Sequence, residues 1–211
     1  NRISSSPFSP NYIGYLGDLR LERRGIKLWE KLSNHPSSSI RQLANTRAEQ
    51  KGYYRFLNNN KVKEELLIEE TSNRMSRLAN GRNLLCIQDT CEVNLVRHKG
   101  RLEKQSGLGR SDKSDTAHCF KLHPGLVLDA EDLNPLGFSA IKIFHRPEEK
   151  PDRIQRNYKK SPIEEKESYK WIEIAQKSKV VLEEAKTVTF IEDREGDIYE
   201  QFASIPTDKF H

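Results

Sequence analysis

The chain has 211 residues, of which 35% are hydrophobic and 32% charged, with a mean hydropathy of −0.82 and a formal net charge of +5. That length accommodates one large or two small domains with a proper core, while no apolar run reaches the ~18 residues of a membrane span and the polar N-terminus is not a signal peptide. The positive balance favours an anionic partner, and Cys86, Cys91 and Cys119, odd in number and without metal-ligand spacing, argue against a disulfide framework or a zinc knuckle and for a reducing cytoplasm.

Residues 1–13 open a Ser-, Pro- and Asn-rich stretch that reads as a flexible arm, continuing to about residue 17; with Asn1 in place of an initiator Met, the chain is expected to be a fragment or a processed product. Residues 14–80 read as a helical domain. Asp18 caps a helix running to about Lys31, with Leu21, Leu28 and Leu32 on one side and Gly25 permitting close approach. On that helix Arg20, Arg24, Lys27 and Lys31 recur at four, three and four residues and draw a cationic stripe, which could follow a phosphate backbone or form an ordinary solvated face. A short helix near Ser39–Ala44 follows. Thr46-Arg47-Ala48-Glu49 has the spacing of a capping box for a third helix carrying Tyr53, Tyr54 and Phe56, residue types that serve as core more often than as base-stacking platforms. The Asn58-Asn59-Asn60 run ends it, and a fourth helix spans Val62 to Leu78, with Val62, Leu66, Thr71, Met75 and Leu78 inward. Residues 14–63 hold eleven Lys and Arg against four acids, so the rest of the chain is mildly acidic. Arg20, Arg23, Arg24, Lys27, Lys31, Arg41, Arg47, Lys51 and Arg55 are the candidate DNA contacts.

From Leu84 the period changes to that of strands, and residues 81–211 read as a mixed sheet with flanking helices. Leu84–Gln88 comes first. A Gly-, Ser- and Lys/Arg-rich stretch from Arg97 to Thr116 could reach DNA or form a surface loop, and His118–Leu128 and Leu136–Phe144 form two further extended runs. Arg146–Lys160 is an exposed connection. Ser161-Pro162-Ile163-Glu164 combines a capping box with Pro at the first helical position, predicting a helix to about Lys186 with Trp171, Ala175, Ser178, Leu182 and Ala185 on one face. Lys166 and Lys170 would share another face and could touch phosphate. Thr187–Glu192 is a strand, and a helix begins at Asp197, which is expected to cap it. His98, His118 and His123 have no evident partner and read as surface or strand residues.

Two apolar runs each finish on an aspartate, Leu84 to Asp89 and Val188 to Asp193. On neighbouring strands the two carboxylates would lie a few ångströms apart, where a divalent cation between them relieves their repulsion. The plainer alternative is that each Asp ends a strand and starts a turn. Gln88 and Glu192 alternate to the opposite face, away from such a site.

Tyr15-Leu16-Gly17-Asp18 with Arg20, Arg23 and Arg24, then His35-Pro36, Ser39-Ile40 and Lys51-Gly52-Tyr53-Tyr54-Arg55-Phe56-Leu57-Asn58-Asn59, resembles the N-terminal DNA-binding domain of bacterial transposases of the transposon-five type, in the IS-four family. Ile87-Gln88-Asp89-Thr90, Leu108-Gly109 with Asp112-Lys113, Lys166-Glu167-Ser168-Tyr169-Lys170-Trp171 and Glu192-Asp193-Arg194-Glu195-Gly196-Asp197 match in order. The resemblance spans about residues 14–205. It implies a partial RNase H-like fold behind an N-terminal helical bundle. It also implies a DDE site in which Asp89 and Asp193 hold Mg²⁺, with Mn²⁺ able to substitute, and cut-and-paste transposition on double-stranded DNA at element ends and target. A homodimer on DNA, with the bacterial nucleoid in the cytoplasm and away from membranes, follows from the same resemblance. Lys113, Lys166 and Lys170 become possible contacts near the cut.

The pattern then breaks. The family's third acid, a glutamate in a Tyr-x-x-Arg-x-x-x-Glu helix, has no counterpart before His211, so an incomplete metal site and an unfinished, exposed sheet edge are expected. Two functional classes remain: a transposase that cleaves and rejoins DNA when complete, and a DNA-binding regulator that occupies element ends without cutting.

Overall fold

Asp18 opens the first helix, its carboxylate accepting from the backbone N–H of Arg20 at 2.9 Å and of Leu21 at 3.1 Å. These are donors that every helix start leaves without an intrahelical partner. The computed structural model describes residues 8–35, 39–102, 108–109, 111, 118–146 and 161–211, and the chain forms two compact units, Asn1–Leu78 and Ala79–His211.

In the first unit, helix α1 spans Leu19–Asn34, α2 Ile40–Leu43, α3 Arg47–Leu57 and α4 Glu64–Ala79. Thr46 caps α3 by accepting from the Glu49 N–H at 3.1 Å, and Glu49 reaches back to the N–H of Asn45 at 2.6 Å. The capping box therefore closes one residue earlier than the usual pattern. Leu16, Leu21, Leu28, Leu43, Tyr53 and Phe56 make the core. Tyr53 and Phe56 are thus core residues, whereas Tyr54 stays 47% exposed. Leu32, which the spacing places inward, is exposed, because it lies in the last turn of α1 outside this cluster.

Residues 8–17 are not a free arm. Pro10 is buried, the Asn11 N–H donates to buried Glu70 at 2.9 Å, and the Leu16 N–H donates to buried Glu22 at 2.9 Å. A buried carboxylate with a backbone donor on it is costly to pull apart, so these two bonds tie the segment to the helices. Residues 1–7 lie outside the described residues.

The second unit contains β1 Asn83–Gln88, β2 Cys91–Asn94, β3 Cys119–Asp129, β4 Pro135–Phe144, α5 Tyr169–Val181, β5 Thr187–Ile191 and α6 Tyr199–Ser204. Strand β3 is the longest and organises the sheet. Along one side it pairs antiparallel with β1, from Leu84↔Asp129 to Gln88↔Gly125, and then with β2, from Cys91↔Leu122 to Asn94↔Cys119. Along the other side it pairs antiparallel with β4. Strand β5 joins β1 in parallel, from Asn83↔Thr187 to Ile87↔Ile191. The result is a mixed sheet that follows a helical unit in chain order, the α+β architecture expected from the sequence.

Two elements differ from the sequence expectations. The four-residue strand β2 has no sequence signal, because its exposed and half-exposed residues carry no apolar alternation. The helix expected from Ser161 is a short 3₁₀ turn, Ile163–Glu165, capped by Pro162 without a side-chain bond; Lys166 is extended (φ −90°, ψ 146°) and α5 starts only at Tyr169. Trp171, Ala175, Ser178, Leu182 and Ala185 are nonetheless all buried, as the periodicity required. Beyond β5 the sheet edge is partly paired: the Val188 N–H donates to Lys209 O at 2.9 Å and the Phe190 N–H to His211 O at 2.8 Å.

A Cβ at Gly25 would stand 2.7 Å from the Phe56 ring and 2.9 Å from Tyr12, whereas one at Gly52 meets only the flexible Arg24 side chain, at 3.3 Å. Both are mid-helix positions where Ala is intrinsically better by ~1 kcal/mol, but overpacking against rings costs ~1–3 kcal/mol. Gly25→Ala is therefore expected to destabilise the helical unit by ~1 kcal/mol or more and Gly52→Ala to leave it unchanged or firmer. Urea unfolding followed by the fluorescence of Trp29 checks both.

Candidate active site and nucleic-acid interface

The parallel register of β1 and β5 decides where the two aspartates lie. The pairing ends at Ile87↔Ile191; continued for two residues, the same register would set Asp89 alongside Asp193, at about the 4.8 Å of adjacent strands. Both residues are exposed at the strand ends. Asp89 accepts the N–H of Thr90 at 2.6 Å and Asp193 that of Glu195 at 2.8 Å, each through Oδ1. Asp193 therefore starts a turn, as the plainer alternative has it, whereas Asp89 lies outside any turn, between β1 and β2, which both pair with β3; the two bonds leave each Oδ2 without a hydrogen bond among the described residues. Asp193 caps a 3₁₀ turn over Arg194–Gly196.

Behind the pair lies a buried polar layer that sequence reasoning missed. Gln88 is 2% exposed and His123 fully buried. The Gln88 amide donates to Glu192 Oε1 at 2.7 Å, its oxygen lies 3.1 Å from His123 Nε2, and His123 Nδ1 lies 2.8 Å from Thr90 Oγ1. Gln201 of α6 also donates to Glu192 Oε1. Burial pushes the Glu192 carboxyl up to about 7, and it pushes the His123 imidazole down to about 4, helped by the nearby ammonium groups of Lys170 and Lys142. The edge of the His123 ring meets Trp171 with centroids 4.5 Å apart. A signal for this layer was present in the sequence: Lys121, His123 and Gly125 share their parity with inward Val127, so polar residues sit where an alternating strand normally carries apolar ones.

The structure places the other expected site residues differently from the sequence. Lys170 is buried, with its ammonium 3.5 Å from Glu195 and over the Trp171 ring, and it lines a cleft of ≈ 310 Å³ with Arg146 and Glu167. Arg146 holds Glu167 through two bonds, at 2.6 and 2.8 Å, and Lys121 stands 3.6 Å away. Lys166 does not share a helix face with Lys170, because the chain between the 3₁₀ turn and α5 is extended at that point. Lys113 lies outside the described residues. Asp197 does not cap α6, whose first-turn cap is Ile198 without a side-chain bond; it lines a cleft of ≈ 230 Å³ beside Asp193 and Glu192. Among the described residues no group of three His, Cys, Asp or Glu could hold a metal ion. Cys86 and Cys119 are buried, Cys91 is exposed, and all three thiols are free.

In the helical unit, packing splits the cationic set. On α1, Lys27 forms an ion pair with Glu49 at 2.8 Å, Lys31 donates to Asn45 at 3.4 Å, and Arg24 lies against Gly52 of α3. Much of that stripe is engaged in the seam between the helices. Arg20 stays exposed above the Asp18 cap, and Arg23, Arg41, Arg47, Lys51 and Arg55 are exposed with no ion pair among the described residues. Arg47, Lys51 and Arg55 recur every four residues on α3, beside exposed Tyr54, and so share one outer face.

Residues 15–62 match the family model described as transposase DNA-binding. No curated protein matches the chain. The family match covers α1 to α3 of the helical unit and supports a transposase with DNA as its partner.

Two outcomes are expected. Replacing Lys51 or Arg55 by Ala should weaken DNA binding and lower the slope of log K against log salt by about 1 for each phosphate no longer neutralised, while Lys27→Ala should change the slope less; fluorescence anisotropy over a salt series measures it. Glu49 is held down to about 2 by Lys27, the Asn45 N–H and the Tyr53 hydroxyl. Its folded pKa lies below the ordinary 4.5, so its contribution is complete above about pH 4.5 and lost as pH falls toward 2. Glu49→Gln should cost ~1 kcal/mol at pH 7, the scale of one or two hydrogen bonds, and should flatten the acid limb of urea stability between about pH 4.5 and pH 2.

Proposed function

We propose that this chain is the DNA-binding and front catalytic part of a cut-and-paste DDE transposase of the IS-four family, transposon-five type. It would grip its element's ends through the helical unit and sever DNA at a metal site held by Asp89 and Asp193. The observation that supports the catalytic half is the parallel β1–β5 register, which ends two residues before each aspartate and, continued, would set the two carboxylates side by side. The mixed sheet, in strand order β4, β3, β1, β5 with β1 and β5 its parallel pair, is compatible with the RNase H-like fold that the resemblance implies.

The donor set suits Mg²⁺ or Mn²⁺. Both are hard cations that take carboxylate oxygens and keep several waters, and here each aspartate offers one unengaged oxygen. When bound, the metal supplies a deprotonated water or 3′-hydroxyl and charge stabilisation for in-line displacement at phosphorus. The residues of the chain provide the rest. Asp89 and Asp193 follow the last paired residues of two parallel neighbours, Ile87 and Ile191, and their bonds to the Thr90 and Glu195 N–H groups keep the side chains from swinging. On this reading the protein acts as a homodimer on DNA, in the cytoplasm with the nucleoid.

A second reading, a regulator that binds element ends without cutting, rests on the match of residues 15–62 to transposase DNA-binding domains. Nicking of DNA carrying the element's ends, in the presence of Mg²⁺ or Mn²⁺, separates the two. In protein that also carries the family's third acid, the transposase reading expects metal-dependent nicks that fall by about 10³-fold or more with Asp89→Asn or Asp193→Asn, the scale of removing one group aimed at the reacting charge. Nicking that survives either change removes that residue from the site; salt-sensitive binding with no nicks favours the regulator.

A further inference from the structure

We propose that Gln88 is a positioning residue, whose amide bridges the end of β5 through Glu192 and strand β3 through His123, and so holds Asp89 and Asp193 at their working separation. The proposal rests on the aspartate pair being the metal site.

The backbone ladders stop just short of that pair. Between β1 and β5 the last paired residues are Ile87 and Ile191. Between β1 and β3 the pairing reaches Gln88↔Gly125 and resumes, on β2, only at Cys91↔Leu122. Asp89 and Thr90 fall in the gap, opposite Pro124 and His123, and proline has no N–H to offer a ladder. Asp89 therefore lacks the ladder bonds that fix the residues before it, and its backbone meets the His123 ring of β3 instead.

Side chains span the gap. The Gln88 Nε2 group donates to Glu192 Oε1 at 2.7 Å, one residue before Asp193. With the amide nitrogen facing a carboxyl oxygen, the amide oxygen faces His123 Nε2 at 3.1 Å, which makes that ring nitrogen the donor. His123 Nδ1 is then the acceptor for the Thr90 hydroxyl at 2.8 Å. Every donor in the series meets an acceptor, so the chain Thr90, His123, Gln88, Glu192 is consistent in direction. It secures the residues on both sides of Asp89 and the one before Asp193. Its far end is closed by Gly196, where a Cβ would stand 2.3 Å from Glu192 Oε2, and by the second amide, that of Gln201. An apolar core would fill this space without leaving buried donors to satisfy. The polar series is explained if it holds strand ends whose own ladders have stopped, as outer groups hold metal ligands elsewhere.

The test is Mn²⁺ binding by the whole chain, read by electron paramagnetic resonance, with circular dichroism melting as the check on folding. The variants are Asp89→Asn, Gln88→Met, which keeps the length of the side chain and removes both hydrogen bonds, and Thr90→Val. Asp89→Asn is expected to weaken binding by about tenfold or more, and Gln88→Met by about tenfold in protein that still melts cooperatively, the usual scale for a group supporting a metal ligand. A purely structural role would lower the melting temperature and leave Mn²⁺ affinity of the folded protein where it was. Folded Gln88→Met that binds Mn²⁺ as the unsubstituted chain does overturns the positioning role while leaving the aspartate site standing. Should Gln88→Met not fold, Thr90→Val decides: weakened binding supports the proposal and unchanged binding overturns it. An unsubstituted chain that does not bind Mn²⁺, or binding untouched by Asp89→Asn, overturns the aspartate site and the proposal together.

Discussion

The parallel pairing of β1 with β5 is the constraint on which the sheet unit depends. The two strands are far apart in sequence, and parallel neighbours cannot be joined by a tight turn. The intervening chain forms β2, β3, β4 and α5 before returning to lay Thr187–Ile191 beside Asn83–Ile87. A slip of one residue in that register would turn every side chain of β5 to the other face and separate the two aspartates. The observed register also turns Leu84, Cys86 and Gln88 inward, where all three are buried.

The layer beneath α5 is unusual in how much of it is polar. Besides the Gln88–His123–Glu192 series it holds Ser139, whose hydroxyl lies 2.7 Å from that of Ser178 on α5 and donates to the Gly125 carbonyl at 3.2 Å. Gly125 has no room for a side chain, since a Cβ there would stand 2.7 Å from Ser139 Oγ. Buried polar groups are costly when unpaired and directional when paired. This interface therefore specifies one seating of α5 on the sheet, which apolar packing alone would define less sharply. The buried thiol of Cys86, pushed up to about 11 by desolvation, belongs to the same cluster and is held away from reactive chemistry.

Electrostatics in the helical unit follows a similar division between groups used for packing and groups left over. Glu49 draws in Lys27, caps the entry to α3 and receives the Tyr53 hydroxyl at 2.9 Å, so one carboxylate joins α1, the α2–α3 turn and the core. The cations on α2 and α3 that remain exposed, with no acidic partner among the described residues, are Arg41, Arg47, Lys51 and Arg55. A helix-borne row of outward cations beside an exposed tyrosine is suited to a phosphate backbone, and it matches the transposase DNA-binding character of residues 15–62.

Local order along the chain was determined by sequence alone, because it depends on near neighbours. The Asp18 and Thr46 caps, the inward face of α5 and the change of period at Leu84 are all set by spacing and by donors within a turn. The close approach at Gly25 was legible for the same reason, as was the placing of an aspartate at the end of each of two apolar strands. Tertiary structure decided everything that depends on distant partners. It paired Lys27 with Glu49 and so took Lys27 out of the α1 cationic stripe, and it buried Lys170 against Trp171 and Glu195. It tied residues 8–17 to Glu22 and Glu70, and it brought His123 between Gln88 and Thr90. No spacing rule reports such pairings, since the energy of a charge or an amide depends on which groups from elsewhere in the chain share its desolvated surroundings, and only the folded register determines that.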